Sequence, residues 1–221
     1  MPDLRTQAIV LRRTNYRESD RILDLLTPEG KQAVIARGVR KAKSRLAGGI
    51  ELFTLAEVVI HQGRGDLGTL TSAKMLQFYG QLLGDLSRLE LASGFLRQLA
   101  RATEQTTSPE YFSLLTQALA GLNHAYSTDL VQIWFQLNLA RISGEEINLI
   151  CDASGAPLAP EQPYRWDATA AVLRPDPAGP LTAREIKLAR FLLARPLAHA
   201  TKITQLDHSL PALLPLARTF H

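Results

Sequence analysis

Cysteine is almost absent from the sequence, since Cys151 is the only one among 221 residues. A single thiol excludes an internal disulfide framework and leaves too few thiolates for a cysteine-based structural zinc site. Hydrophobic residues make up 46% of the chain, which is enough to build a buried core. We therefore expect apolar packing to provide the stability, without a metal ion or another cofactor.

Long apolar runs are also missing. The longest apolar stretches, such as residues 52–60 and 191–194, are broken by charges or prolines well before the roughly 20 residues that a membrane span requires. The first residues lead directly into an alternating pattern, without the apolar core and cleavage site of a signal peptide. These features predict a cytoplasmic protein that does not use a membrane as a partner.

Patterns typical of catalysis are scarce as well. The five histidines show neither HxxxH nor HExxH spacing, and no Walker A phosphate-binding loop is present. Asp20 and Asp24 lie near Glu18, which leaves a metal-dependent nuclease as one alternative. Salt bridges with Arg17 and Arg21 explain these carboxylates more simply. We therefore expect that the protein is not an enzyme.

The net charge of +4 is concentrated near the N-terminus. Residues 1–85 contain thirteen Lys and Arg against nine Asp and Glu, whereas the rest of the chain contains twelve of each. A basic segment joined to a neutral one points to nucleic acid as the partner of the basic segment.

The N-terminal third of the chain alternates between polar and apolar residues with a period of two. Turn residues separate five short candidate strands, at residues 7–13, 21–27, 31–37, 52–62 and 67–74. Five short strands with glycine at the corners match a small closed barrel, and the five-stranded OB-fold is the commonest such module that binds oligonucleotides. The sequence therefore predicts an OB-fold domain over residues 1–78.

After Ser72 the apolar period changes to 3.6, which indicates amphipathic helices. The first predicted helical stripe consists of Leu76, Tyr79, Leu82, Leu83 and Leu86. Residues 148–180 lose this periodicity and contain six prolines, so an irregular insertion is expected there. The fold class is thus α+β, with an OB-fold β-barrel followed by an α-helical domain over residues 79–221 that contains an insertion at about 148–180.

The segment from Arg37 to Arg45 carries five cations in nine positions. Phosphate contacts require donors on a backbone that approaches a polyanion closely, and a glycine-containing loop between strands supplies that geometry. Further cations lie on or beside the other predicted strands. The candidate DNA-binding residues are Arg12, Arg13, Lys31, Arg37, Arg40, Lys41, Lys43, Arg45 and Arg64. A solvated basic loop without a ligand is the simpler alternative.

Aromatic residues are few in this region, because Tyr16 and Phe53 are the only two within the first 75 positions. Proteins that bind single strands usually stack bases on aromatic rings. Phosphate contacts should therefore outweigh base stacking, which favours binding that is independent of sequence and accepts both single and double strands.

Several segments resemble, in order, the N-terminal domain of the RecO family of recombination mediators. The similar segments are Ala8–Leu11, Tyr16–Leu23, Leu26–Thr27, Gly30–Lys31, Ala36–Lys41, Lys43–Arg45, Gly48, Glu51–Phe53 and Gly63–Leu67. The resemblance extends in weaker form over the whole chain, because this family follows its OB-fold with a helical domain that contains a zinc-finger-like insertion.

At the insertion the chain departs from the family pattern, in which two CxxC pairs hold zinc. Cys151 matches the first cysteine, but Ser154 stands at the second position, and Leu173–Pro177 lies where the other pair is expected. We therefore expect a degenerate insertion without zinc. Its packing is predicted to involve Leu158, Tyr164, Trp166 and Val172.

The resemblance implies a function in DNA repair and recombination through a RecF-type pathway. A RecO-type protein binds single- and double-stranded DNA and anneals complementary strands. With RecR, it helps to load RecA onto DNA coated by single-strand-binding protein, and such a protein works at the nucleoid in the cytoplasm. An alternative is a protein-interaction adaptor of the repair machinery, with only auxiliary DNA binding.

A partner site is also predicted on the helical domain. Single-strand-binding proteins end in a short acidic and apolar tail, so a receptor needs cations beside an apolar groove. Arg97 and Arg101 lie four residues apart on the predicted helix that contains Phe95 and Leu99, and they offer that combination. A solvated helix face is the alternative.

Overall fold

The structure is a computed structural model that describes residues 3–63, 65, 67–145 and 147–219. The chain divides into two compact units, Met1–Asn123 and His124–His221. No helix in the described part of the chain combines the length and the apolar character that a bilayer crossing demands.

The first unit contains a closed five-stranded barrel, which confirms the predicted OB-type fold. Its strands are β1 (Leu4–Tyr16), β2 (Asp20–Thr27), β3 (Gly30–Ala36), β4 (Thr54–His61) and β5 (Gly68–Phe78). Around the barrel their order is β1-β2-β3-β5-β4, with antiparallel pairing except for the short parallel contact between β3 and β5. The β2–β3 hairpin turns between Thr27 and Gly30, where the sequence predicts a turn.

The barrel core contains alternate residues of the strands, as a closed sheet requires. Leu23, Leu25, Val34 and Ile60 are fully or almost fully buried in this core. The long β3–β4 connection also contributes to it, because Val39 and Ile50 are buried in the same cluster. This connection is therefore fixed to the barrel at both of its ends.

The sequence-based prediction of a helix from about Leu76 is wrong. Strand β5 continues to Phe78, which pairs with Thr54 of β4, and Gly80–Gly84 forms a short 3-10 helix. The Tyr79 N–H donates to the Phe53 carbonyl at 2.9 Å. This long-range bond and the pairing with β4 keep the backbone extended in spite of its helical apolar pattern.

Two helices complete the first unit, α1 (Leu86–Gln105) and α2 (Glu110–Asn123). Helix α1 begins at an N-cap in which Asp85 accepts the Arg88 N–H at 3.2 Å. The helices pack against each other, and both contact strands of the barrel. The compact unit thus extends to Asn123. The domain boundary predicted from the sequence lies earlier, at residue 78.

The second unit is mainly helical. Its helices are α3 (Thr128–Ile142), α4 (Ala183–Ala194), α5 (Leu197–Ala200) and α6 (Leu206–Arg218), and α3 packs against α4 and α6. A capping box is present at the start of α4, where the Thr182 side chain accepts a backbone N–H of the first turn and the Glu185 carboxylate accepts the Thr182 N–H at 3.1 Å.

The insertion of the second unit forms a two-stranded hairpin, β6 (Tyr164–Asp167) and β7 (Val172–Pro175). Tyr164 and Trp166 are buried as predicted, and Leu173 is buried with them. Leu158 and Val172, in contrast, are only half-buried. Cross-strand ion pairs add to this packing, since Arg165 contacts Asp176 at 2.7 Å and Arg174 contacts Asp167 at 2.8 Å.

Candidate nucleic-acid interface

The basic loop, residues 37–45, projects from the barrel between β3 and the 3-10 turn Ala47–Gly49. All five of its cations, Arg37, Arg40, Lys41, Lys43 and Arg45, are exposed. None of them forms a salt bridge with an acidic side chain in the described ranges. The structure therefore brings together five predicted site residues whose charges are available to a polyanion.

The base of the basic loop is rigidly attached to the barrel. Val39 is buried in the barrel core within the loop itself. Beyond the loop, Gly49 lies so close to Ala73 of β5 that a Cβ atom would come within 2.7 Å of the Ala73 carbonyl. Exposed cations on a fixed backbone lose less conformational freedom when they bind phosphate than cations on a flexible tail.

A second element adjoins the basic loop. It is the β1–β2 turn, which begins at Tyr16 and has Arg17–Ser19 at its apex, and it is called the hairpin tip below. The Arg40 backbone N–H donates to the Ser19 carbonyl at 2.9 Å, and Arg40 Nη1 donates to the Arg17 carbonyl at 3.4 Å. These bonds place the exposed Arg17 beside the loop cations. Arg17 also lies over the Tyr16 ring, 5.1 Å from its centroid.

Asp20 joins the two elements from below. Its Oδ1 accepts the Gly38 N–H at 2.7 Å, and the Ser19 hydroxyl donates to the same oxygen at 3.3 Å. The Gly38 N–H is the main cause that holds the Asp20 pKa below its ordinary value, with smaller effects of Ser19 and of the nearby Arg17 and Arg37 charges. Asp20 is thus an ionised carboxylate that links the hairpin tip to the basic loop.

Three arginines on the barrel strands form ion pairs of their own. Arg12 contacts Asp24 at 3.3 Å, whereas Arg13 and Arg21 both contact Glu51. The Arg12 side chain is 71% exposed in spite of its pair, whereas the Arg13 and Arg21 side chains are only 25% and 26% exposed, so Arg12 is the most accessible of the three to a phosphate. Their contribution to DNA binding stays a prediction, and it is expected to be smaller than that of the loop cations.

Lys31 lies at the other end of β3 from the basic loop. Arg37 lies six positions further along the chain, which corresponds to about 20 Å along an extended strand. Its Nζ donates to the Ala100 carbonyl and to Glu104 Oε1 of α1, both at 3.3 Å. Lys31 is therefore not brought to the loop, although the sequence grouped it with the loop cations. Arg64 lies outside the described residues.

The predicted partner site on α1 lacks its apolar component. Arg97 and Arg101 are exposed, as that prediction requires. Phe95 and Leu99, however, are only 1% and 0% exposed, because they face the core of the unit. The apolar stripe that suggested a groove is the buried face of the helix, so these two side chains are not available to a peptide.

A cavity of the second unit combines the two features that the predicted partner site requires, namely cations and accessible apolar surface. It has a volume of about 680 Å³ and lies between the end of α3, residues 147–151 and the second half of α4. Arg141 and Arg190 line it together with apolar side chains, among which Ile150 is 71% exposed. Arg190 is fixed by donating to the Leu149 carbonyl from Nε at 3.0 Å and also from Nη2. The cavity suits an apolar group that carries a negative charge.

The residues of the insertion do not fit a zinc ion. In place of a second thiolate, Ser154 donates its hydroxyl to Asp152 Oδ1 at 2.6 Å, and the same oxygen accepts the N–H groups of Ser154 and Ala156. These bonds, with the Ser154 hydroxyl first, lower the pKa of Asp152. In the described part of the chain, no three His, Cys, Asp or Glu side chains are grouped as metal ligands.

The sequence-based list of candidate site residues did not include Tyr16 and Arg17, and the sequence offered only salt bridges or a metal-dependent nuclease site as roles for Asp20. Their connection to the basic loop depends on hydrogen bonds across about twenty residues of chain, which no local pattern reveals. A usable signal was present, however. A polar turn between two predicted strands must lie at one end of the barrel, as must the segment that follows β3.

Two family models match the chain and together cover nearly all of it. The model described as Recombination protein O N terminal matches residues 1–79, which include all five barrel strands. The model described as Recombination protein O C terminal matches residues 83–220.

Individual relatives agree with the family models. A protein named DNA repair protein RecO from a Roseiflexus species is 36% identical over 201 residues, which is 87% of this chain and 71% of the relative. A protein of the same name from Anaeromyxobacter dehalogenans is 36% identical over 173 residues, 76% of this chain and 67% of the relative. One from Listeria monocytogenes is 33% identical over 140 residues, 62% of this chain and 54% of the relative.

Proposed function

The chain belongs to the RecO family of DNA repair and recombination proteins, and on that premise we propose that it binds single- and double-stranded DNA through the basic loop and the hairpin tip. The observation that supports this proposal is the set of five exposed loop cations without acidic partners among the described residues. Cations that are not already paired release counterions from DNA most effectively.

We further propose that the protein anneals complementary strands without catalysing a chemical reaction. Two single strands repel each other through their phosphates, and a surface that neutralises both strands lowers this barrier. Base pairing then supplies the free energy of annealing. With RecR, the protein would help to load RecA onto DNA coated by single-strand-binding protein, in the cytoplasm at the nucleoid. Family membership supports this sequence of events.

For the tail of single-strand-binding protein we propose the cavity lined by Arg141 and Arg190. An acidic tail that ends in apolar residues requires guanidinium groups beside apolar surface, and this cavity provides both. Exposed Ile150 adds apolar contact area at its edge. The pair Arg97 and Arg101 offers charge alone, because its apolar neighbours are buried.

The experiment that tests DNA binding is a salt titration of the full-length chain with single-stranded oligonucleotides of unrelated sequences. Replacing Arg40, Lys41 and Lys43 by alanine should weaken binding to every sequence. It should also reduce the log–log salt slope by about two, because each single-strand phosphate contact contributes about 0.7. An unchanged slope would exclude the basic loop from the site.

A matched control removes three exposed cations elsewhere, namely Arg97, Arg101 and Lys187. The overall charge changes by the same amount, yet the salt slope should stay within about 0.5 of the wild-type value because these side chains do not contact the phosphates. A protein without salt-dependent DNA binding that still binds the tail peptide would instead be the adaptor that the sequence leaves as an alternative. DNA cleavage that requires magnesium would identify a nuclease.

A further inference from the structure

An acidic residue inside a DNA-binding surface is expected to weaken binding, because its charge repels phosphate. Asp20 is such a residue, since it lies between the basic loop and the hairpin tip and near the charges of Arg17 and Arg37. The position of Asp20 is explained if its hydrogen bond to the loop backbone favours DNA binding more than its charge weakens it.

We propose that Asp20 is a positioning residue for DNA binding, which holds the basic loop in the conformation that presents its cations. This inference rests on the proposed DNA-binding function. The carboxylate does not contact DNA itself. It acts through the Gly38 N–H, 18 residues further along the chain, which it accepts at 2.7 Å.

Gly38 is the residue at which the loop conformation is set. Its φ angle of +64° lies in the left-handed region, which turns the chain away from β3 immediately after Arg37. Two consecutive turns follow, closed by the Lys41 N–H to the Gly38 carbonyl at 3.1 Å and the Ser44 N–H to the Lys41 carbonyl at 3.0 Å. The directions of the cations therefore depend on how the Gly38 peptide is oriented.

The Asp20 bond is the one side-chain contact that fixes this peptide among the hydrogen bonds of the described residues. The buried Val39 and the bond from the Arg40 N–H to the Ser19 carbonyl hold the next two residues by packing and by backbone alone. These two attachments do not require a carboxylate, so a variant at Asp20 should still fold. What it should lose is the fixed orientation of the loop.

The test compares three variants of the full-length chain, Asp20→Ala, Asp20→Asn and Glu18→Ala. Glu18 is an exposed carboxylate on the same hairpin tip, so its removal changes the charge without changing the Gly38 contact. Asparagine removes the charge but keeps an oxygen that accepts the Gly38 N–H. If electrostatic repulsion dominates, all three variants bind DNA more tightly than the wild type.

The proposal predicts a different order. Asp20→Ala should bind single-stranded DNA about tenfold more weakly, because loss of a charge-assisted hydrogen bond frees the loop. Asp20→Asn and Glu18→Ala should bind at least as tightly as the wild type. Tighter binding by Asp20→Ala would overturn the proposal.

A second measurement does not depend on DNA. In Asp20→Ala the Gly38 and Arg40 amides should exchange hydrogen at least about tenfold faster, and trypsin should cleave faster within the basic loop, while the melting temperature stays close to that of the wild type. Unchanged exchange and cleavage would refute the positioning role even if the protein binds DNA. Faster exchange in a protein that binds no DNA would refute the DNA-binding function and, with it, the role of Asp20 in binding.

Discussion

Lys31 Nζ lies 3.3 Å from Glu104 Oε1, so an ion pair joins strand β3 of the barrel to helix α1 within the first unit. The same ammonium group donates to the Ala100 carbonyl of that helix. The Lys31 side chain is only 19% exposed, in contrast to the exposed cations of the basic loop. Its surroundings thus favour a structural role over a phosphate contact.

The first prediction follows from this ion pair. Lys31→Ala should lower the free energy of unfolding by about 0.5–1 kcal/mol, since Glu104 is largely exposed and the pair is partly screened. The slope of DNA affinity against salt should not change. A double-mutant cycle with Glu104→Ala measures the pair in denaturant. If the salt slope falls by about 0.7, Lys31 contacts a phosphate after all.

The second prediction separates the two candidate sites for the tail of single-strand-binding protein. Arg190→Glu and, independently, Ile150→Asp should each weaken binding of a tail peptide at least about tenfold, because one reverses the charge of the cavity and the other removes apolar contact. Fluorescence anisotropy of a labelled peptide measures both.

The matched variant for this prediction is Arg97→Glu with Arg101→Glu, which should leave peptide affinity within about twofold. Ile150 is highly exposed, so its substitution should not disturb folding. Weaker peptide binding by Ile150→Asp would therefore show that the loss in Arg190→Glu is not caused by misfolding alone. The sequence-based site on α1 predicts the opposite order, with the double variant losing the peptide. That order would place the tail on α1 and not in the cavity.

The third prediction concerns zinc. Purified protein should contain much less than one zinc ion per chain, and chelators should not change its melting temperature, because the turn at Asp152 is closed by hydrogen bonds. Asp152→Ala should lower the melting temperature of the protein, because the turn of the insertion loses these bonds. Elemental analysis that finds stoichiometric zinc would contradict this account of the insertion.

Much of the barrel could be predicted from the sequence because its determinants are local. Alternating residues such as Leu23 and Leu25 mark a strand with one buried face, and the residues from Pro28 to Gly30 mark the turn that follows. The charge of the basic loop is also visible in the sequence. For these features the neighbouring residues carry enough information.

Other features could not be predicted because distant residues decide them. The extension of β5 to Phe78 depends on pairing with β4, although the local pattern favours a helix. The role of Asp20 depends on Gly38. On α1, the sequence places the apolar residues Phe95 and Leu99 on one helix, but apolar residues on a helix do not reveal whether they face a core or a ligand.

The fourth prediction is a pH dependence caused by Glu185. Burial acts to raise the pKa of this carboxyl group, but the hydroxyls of Thr182 and Ser209 and the Thr182 N–H together lower it below 4.5. Ionised Glu185 therefore stabilises the fold fully above pH 4.5, and this contribution is lost as the pH falls through the folded-state pKa.

Glu185→Gln tests this sign directly. At pH 7 the variant should be less stable by about 2 kcal/mol, because hydrogen bonds to an ionised acceptor are stronger than those to an amide. The difference between wild type and variant in thermal unfolding should shrink as the pH is lowered from 5 through the folded-state pKa of Glu185, which lies below 4.5. A constant difference over this range would mean that Glu185 is not ionised in the folded protein, or that its charge does not matter.

The last prediction assigns base contact to the hairpin tip. Tyr16 is 38% exposed, and the guanidinium of Arg17, whose carbonyl accepts a bond from Arg40, lies over its ring. We therefore expect the exposed part of the ring to stack on a nucleobase of a strand that follows the loop cations. Tyr16→Ala should weaken single-strand binding by about 1 kcal/mol or more, while Tyr16→Phe should bind normally because stacking does not need the hydroxyl. Binding to a blunt duplex should change much less, since its bases are already stacked. Equal losses for both DNA forms, or a loss in Tyr16→Phe, would show that Tyr16 acts by another route than stacking.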